Sequence, residues 1–386
     1  GWLVATAFLG LLVAACSTDR LLDVTPTDRV GVTLYDDPAQ AKLMVNSAQS
    51  EFECAHASAI TVEAIISDEL ADAQLGAAAW PYDRRDANTQ PNGSYGTNGC
   101  DNNQTPGIYL PLSTARWAGD NALTALQTWT DADVGAQRTE LIARAALYAG
   151  FSYLDMGMSM CEAAFDLGPV VDQAGMFALA EERFNLAITS AQASGAASVL
   201  TAAYLGRARA RLFQGNGAGA TADAQLVPAG FVYEATYDAT DNRRYNRLFA
   251  SVSHFGDYTV DPASRDLMTE GVIDPRTAVV KLSTRPADSK AVMYGPAKYT
   301  DDGSAIRLAT YDEAQLILAE VAGGSQAVTI IDALRDAAGL PHYSGATDAA
   351  SIRQLIIDER QRALFVEGFR NYDIQHGTFE ADFFLT

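Results

Sequence analysis

Basic residues are scarce in this chain. Its 386 residues carry 27 Lys plus Arg against 48 Asp plus Glu, a formal net charge of −21. A surface this acidic repels phosphate backbones, and no local Lys/Arg run offsets it, so nucleic acid is not expected as a partner. The same shortage excludes docking on anionic lipid through a basic patch. Four cysteines and four histidines leave little material for a Cys/His metal site. His56, His254, His342 and His376 are scattered without helical metal spacing and read as surface or capped histidines. Nucleophile-elbow, P-loop, dinucleotide-fingerprint, zinc-protease and calcium-loop patterns are missing. No metal and no cofactor is therefore expected. What remains is ordinary globular material: 48% hydrophobic and 19% charged residues, with length for one large domain or two smaller ones.

The amino end has its own texture. Residues 2–15, WLVATAFLGLLVAA, are uncharged and mostly apolar, yet shorter than the roughly 20 residues a membrane span needs. They fit the apolar region of a signal peptide. Val13, Ala14 and Ala15 then lead into Cys16 and the polar Ser17-Thr18-Asp19, an arrangement that resembles a bacterial lipobox. The resemblance implies that residues 1–15 are removed and that Cys16 begins the mature chain and carries acyl groups. Several acyl chains, at about 0.8 kcal/mol per buried CH₂, anchor a domain stably to a membrane. An exported chain folds where disulfides form. Cys100 lies in PNGSYGTNGCDNNQTPG, a loop by composition, whereas Cys54 and Cys161 follow or sit in helical patterns. Cys54 with Cys161 is the expected pair, although sequence leaves the pairing open.

Helical patterning covers about 37–72, 113–227 and 306–373. Loop-rich stretches occupy 76–111 and 231–298, the second with a few short strands or turns. Ala180, Phe184 and Ala187 place a small–large–small stripe on one helix face, and Ala327, Ile331 and Leu334 repeat that spacing. Leu205-Gly206 and Ala218 to Ala224 supply further small-residue faces. The pattern is similar to that of tetratricopeptide (TPR) repeats, in which small residues let partner helices approach. A third unit of this kind is expected to begin at Ile306.

Near the carboxyl end, residues 352–370 read as one strong helix. It carries Glu359, Arg360, Arg362, Leu364, Glu367 and Gly368, followed by Arg370 and Asp373. This run resembles the C-terminal signature of the SusD/RagB family of outer-membrane nutrient-binding lipoproteins, E-R-x-R-E-L-x-x-E-G-x-R-x-x-D-L. It departs at Ala363 and Ile374. Arg307-Leu308-Ala309 with Leu316 to Glu320, Leu334-Arg335 with Ala338 to Pro341, Asp274-Pro275-Arg276 and Lys298-Tyr299 fall in the family's order.

The resemblance implies a mainly α, SusD-like fold with degenerate TPR helix-turn-helix units, from residue 16 to 386. It further implies a lipid-anchored protein facing outside on the cell outer membrane. Such a protein captures an oligomeric nutrient, an oligosaccharide first of all, and passes it to a SusC-like TonB-dependent barrel. A TPR-type interaction protein and a secreted hydrolase are the alternatives from other classes.

On one continuous helix, Glu359 and Arg362, Glu367 and Arg370, and Arg370 and Asp373 would meet as i,i+3 surface pairs, serving docking rather than catalysis. Glu359 and Glu367 would lie about 12 Å apart along it, too far for a glycosidase pair. Sugar capture needs exposed aromatic faces beside polar groups. The richest supply in irregular sequence is Trp80, Tyr82, Tyr95 and Tyr109, with Arg84 beside them, and the Tyr-rich 231–258 stretch is the second choice.

Overall fold

The computed structural model describes residues 36–74, 80–83, 85, 100, 107–241 and 243–375. Cys16 and the amino-terminal segment, Arg84, Tyr95 and His376 lie outside them, as does the side chain of Trp80.

The helices are α1 (Ala41–Ile66), α2 (Trp80–Asp83), α3 (Tyr109–Thr128), α4 (Asp131–Val134), α5 (Arg138–Ser159), α6 (Gln173–Ser194), α7 (Ala197–Phe213) and α8 (Gly217–Ala224). After these come α9 (Arg247–Ser253), α10 (Tyr311–Ala322), α11 (Gly324–Ala337), α12 (Ala349–Ala363) and α13 (Arg370–Gln375). The principal contacts run from neighbour to neighbour: α1 on α3, α3 on α5, α5 on α6, α6 on α7, α7 on α8, α8 on α10, and α10 on α11 and α12. This is the succession expected of stacked helical hairpins.

Small residues set the closeness of that stacking. Phe177 and Phe184, seven residues apart on α6, enter notches at Gly157 and Gly150 on α5. A Cβ on Gly157 would stand 2.5 Å from the Phe177 ring, and one on Gly150 2.8 Å from that of Phe184. From the other side Gly206 of α7 leaves the same Phe184 ring its space, since a Cβ there would stand 2.4 Å away. Ala180, Phe184 and Ala187 are all buried, and so are Ala327, Ile331 and Leu334. The stripes read from spacing do form core faces. Ala327 and Ile331 of the second set pack with Ala319, Ile352, Leu355 and Ile356 into a satellite core under α10–α12, while Leu334 joins the main core.

Short antiparallel ladders bind the irregular segments. They are β1 (Leu70–Asp72) with β5 (Tyr258–Val260), β2 (Glu162–Ala164) with β3 (Val170–Asp172), and β4 (Val232–Ala235) with β10 (Ile306–Thr310). Two more are β6 (Met268–Thr269) with β7 (Val272–Ile273) and β8 (Val279–Lys281) with β9 (Tyr294–Pro296). The third helical unit therefore starts five residues later than its resemblance implies. Residues 306–310 pair with β4, and Thr310 then caps α10 by accepting from the Glu313 N–H. Helix α3 starts at Tyr109 rather than Ser113.

Nor is the carboxyl-terminal signature one helix. α12 ends at Ala363, and Val366 and Gly368 take φ of +48° and +83°, which no helix accommodates. The chain turns there and restarts as α13. Of the expected i,i+3 pairs, Glu367 and Arg370 are separated by this turn, whereas Glu359 and Arg362, both on α12, bond to other partners.

Candidate functional site

Two regions carry the residues singled out from sequence: the buried carboxyl-terminal charge network, and the root of the 76–111 loop.

In the network Glu359 and Glu367 find their cations outside the signature, and Asp373 finds Arg360 within it. Glu359, fully buried, accepts from Arg276 Nη1 at 2.5 Å and from Arg335 Nε at 2.9 Å. Arg276 also grips Asp274 through Nε and Nη2. Glu367 Oε1 accepts from Lys298 Nζ at 2.6 Å and Arg307 Nε at 2.7 Å. Arg360 donates through Nε and Nη2 to the two oxygens of Asp373, and Arg362 donates to the Met268 carbonyl. The landmarks 274–276, 298 and 307 are thus the partners of the signature acids. Glu359 and Glu367 are each braced by two cations inside the protein, an arrangement for docking elements rather than for reaching a substrate. Gly368 combines its positive φ with close packing: a Cβ there would stand 2.6 Å from Ile60 Cγ2 on α1. Beside it, Glu69 accepts from the Val366 N–H at 3.0 Å, and burial pushes its carboxyl up to about 7.

The 76–111 loop is pinned at both ends. Asp83 accepts from the Asp72 N–H at 3.1 Å, and Arg85 donates to the Ile66 carbonyl and pairs with Asp68. Gly107 donates its N–H to Ser58 Oγ on α1, whose hydroxyl donates back to the Gly107 carbonyl. Between these points a disulfide joins Cys100 to the buried Cys54 of α1, with Cα atoms 5.9 Å apart, and Cys161 is free and exposed. The expected Cys54–Cys161 pair is therefore wrong. Helical context does not predict it, because Cys54 and Cys100 meet across 46 residues that no local pattern links.

These anchors change the reading of the aromatics. Tyr82 is 3% exposed and belongs to the core. Tyr109 is half-buried on α3, its hydroxyl donating to the Ala164 carbonyl at 2.8 Å. Tyr82 thus offers no open ring face, and the Tyr109 hydroxyl is already committed. Arg84 and Tyr95 lie outside the described residues, and of Trp80 only the backbone, in α2, is described. Three of the four 231–258 tyrosines are committed as well: Tyr233 bonds Tyr148, Tyr237 donates to the Glu53 carbonyl, and Tyr258 is fully buried, while the half-buried Tyr245 has Arg247 over its ring.

Two features went unread in the sequence. The loop root is acidic: Asp72 lies near Asp83, Asp257 and Asp288. Burial first, and then these neighbours, raise its carboxyl to about 6. Gln74 sits beside them. β1–β5 pairing brings Asp257 to Asp72, while Asp83 accepts from the Asp72 N–H and the Asp288 N–H donates to the Ala73 carbonyl. The second feature is Trp117, 42% exposed on α3. The charges beside it gave no signal, because Arg116 is itself buried and paired with Asp166.

No family model and no curated protein matches the sequence. Solved structures do match. A SusD superfamily protein from Bacteroides vulgatus superposes with a TM-score of 0.61 at 15% identity, covering 88% of each chain. NanU from B. fragilis gives 0.62 at 12%, over 91% of this chain and 92% of that one. Surface glycan-binding protein A from Bacteroides fluxus gives 0.60 at 13%, over 86% and 88%. The charge network and the stacked hairpins thus sit in a known architecture, and the chain has the SusD-like fold.

Proposed function

We propose that this chain is a glycan-capturing surface lipoprotein, anchored through Cys16, that hands an oligosaccharide to a SusC-like TonB-dependent barrel in the outer membrane. One observation carries most of the reading. The shared architecture spans about nine-tenths of the chain, and the proteins that share it include ones described as carbohydrate, laminarin or glycan binding. The loop supports it: a long polar segment that contains Trp80 and Tyr95 is tied to α1 by Cys54–Cys100. Its acidic root supplies acceptors for sugar hydroxyls. The lipobox-like residues 13–16 supply the anchor.

The test has three arms. Affinity electrophoresis and calorimetry against soluble glycans should find a binder. Cys16→Ala should move the protein from the membrane fraction to the soluble one. Affinity purification from envelopes should recover a TonB-dependent barrel. Absence of glycan binding across a broad panel would overturn capture, and unchanged membrane association of Cys16→Ala would overturn the anchor.

A further inference from the structure

A cleft of about 280 Å³ opens between the β6–β7 hairpin, α11 and α12. None of its lining residues belongs to the 76–111 loop. The hairpin turns on Glu270 and Gly271, with φ of +48° and +81°. A two-residue turn of this kind favours Asn or Asp followed by Gly. Glutamate in a left-handed conformation is a local strain, and such strain gathers where a side chain has a job. Here it brings the Glu270 carboxylate to the cleft, where Ser344 Oγ donates to Oε2.

Across the cleft stands Arg335, only 4% exposed. Its Nε is spent on Glu359, but its buried Nη1 has no hydrogen-bond partner. The nearest acceptor, Glu270 Oε1, is 3.6 Å away, an ion pair too long to be a hydrogen bond. A buried guanidinium N–H without an acceptor costs free energy that a ligand oxygen recovers. Along α12, Gln354 donates to Asp358 Oδ1, which leaves the second carboxylate oxygen and the amide oxygen able to accept. Arg362, in contrast, is spent on the Met268 and Asp358 carbonyls.

The cleft therefore offers several acceptors and one strong donor, next to the apolar surfaces of Tyr343 and Leu355. Hydroxyl groups, which donate and accept at once, match this set. A carboxylate ligand would meet Glu270 and Asp358. The volume lies just below the roughly 300 Å³ at which pockets for drug-sized ligands begin, room for one ring rather than a chain.

We propose that this cleft is a separate carbohydrate subsite that takes one neutral pyranose unit, Glu270 and Arg335 sharing one hydroxyl and Asp358 with Gln354 accepting from others. The proposal rests on the reading of the chain as a glycan-binding protein and adds a second place of contact.

Met268, on the rim and largely exposed, supplies the reporter. The mature chain, labelled with ¹³C-methyl methionine and assigned with Met268→Leu, is titrated with methyl glycosides of glucose, galactose and mannose, and with glucuronate and glucosamine for comparison. A neutral glycoside should shift the Met268 methyl saturably. Asp358→Ala and Gln354→Ala should weaken that binding about tenfold or more, and Trp80→Ala should leave it unchanged. The proposal is overturned if no neutral glycoside shifts the methyl, if the shift survives Asp358→Ala, or if only the charged sugars produce it. Oligosaccharide binding that persists without a Met268 response removes the subsite alone. Loss of all glycan binding removes the parent reading too.

Discussion

Arg360 and Asp373 lie thirteen positions apart in sequence and form a buried, two-pronged pair, Nε to Oδ2 at 2.9 Å and Nη2 to Oδ1 at 2.7 Å. The pair spans the turn at 364–369 and fixes α13 against the end of α12. Removing one partner strands the other charge inside the protein. Asp373→Ala should cost about 3–5 kcal/mol, while Arg360→Met with Asp373→Leu should cost much less than the sum of the two single changes. A double-mutant cycle by urea unfolding reads the difference.

Gly368 meets two demands, a φ of +83° and contact with Ile60. Gly368→Ala should destabilise by about 1–3 kcal/mol and Gly368→Val by more, through strain and overpacking together. Equal stability of the three proteins would mean that the turn relaxes away from α1.

Glu69 gives a pH dependence with a definite sign. Its folded value of about 7 lies above the roughly 4.3 of an unfolded glutamate, so the fold prefers the neutral acid. That contribution is fully present below about pH 4 and is lost as the pH rises through 7, by up to about 3 kcal/mol. Glu69→Gln should therefore lose less stability between pH 5 and 7.5 than the parent chain does. An unchanged slope would show that Glu69 is not titrating there.

The disulfide closes a separation of 46 residues. Chain entropy alone assigns it roughly 4 kcal/mol, so replacing Cys54 and Cys100 with Ala should lower the unfolding midpoint clearly. In the native protein a thiol reagent should label Cys161, and should reach Cys54 and Cys100 only after reduction. Labelling that blocks Cys161 and Cys54 together would contradict the pairing.

Local pattern and long-range pairing were not equally legible. The stripes at 180–187 and 327–334 became core faces, because a 3.6-residue period needs nothing beyond the helix itself. The SusD-like resemblance of the 359–373 residues agreed with the fold, but its helical geometry did not. Periodicity carries no sign of a left-handed turn at Val366, nor of cations arriving from Arg276, Arg307 and Arg335. The packing of Tyr82 and Tyr109 was hidden for a related reason. Composition marks a loop as irregular without revealing that Tyr82 belongs to the core or that Cys100 is tied to α1. The acidic root was invisible because Asp72, Asp257 and Asp288 come together through a strand pairing and a loop hydrogen bond between segments far apart in sequence.

Glycan capture by the tethered loop is the central claim, and Trp80→Ala tests it most directly. Calorimetry on the parent and variant with the glycan selected by screening, together with their melting temperatures, should show binding weakened by about 1–3 kcal/mol and melting nearly unchanged. A variant that loses several kcal/mol of stability yet binds with unaltered affinity per folded molecule would contradict the claim and place the ring in the core.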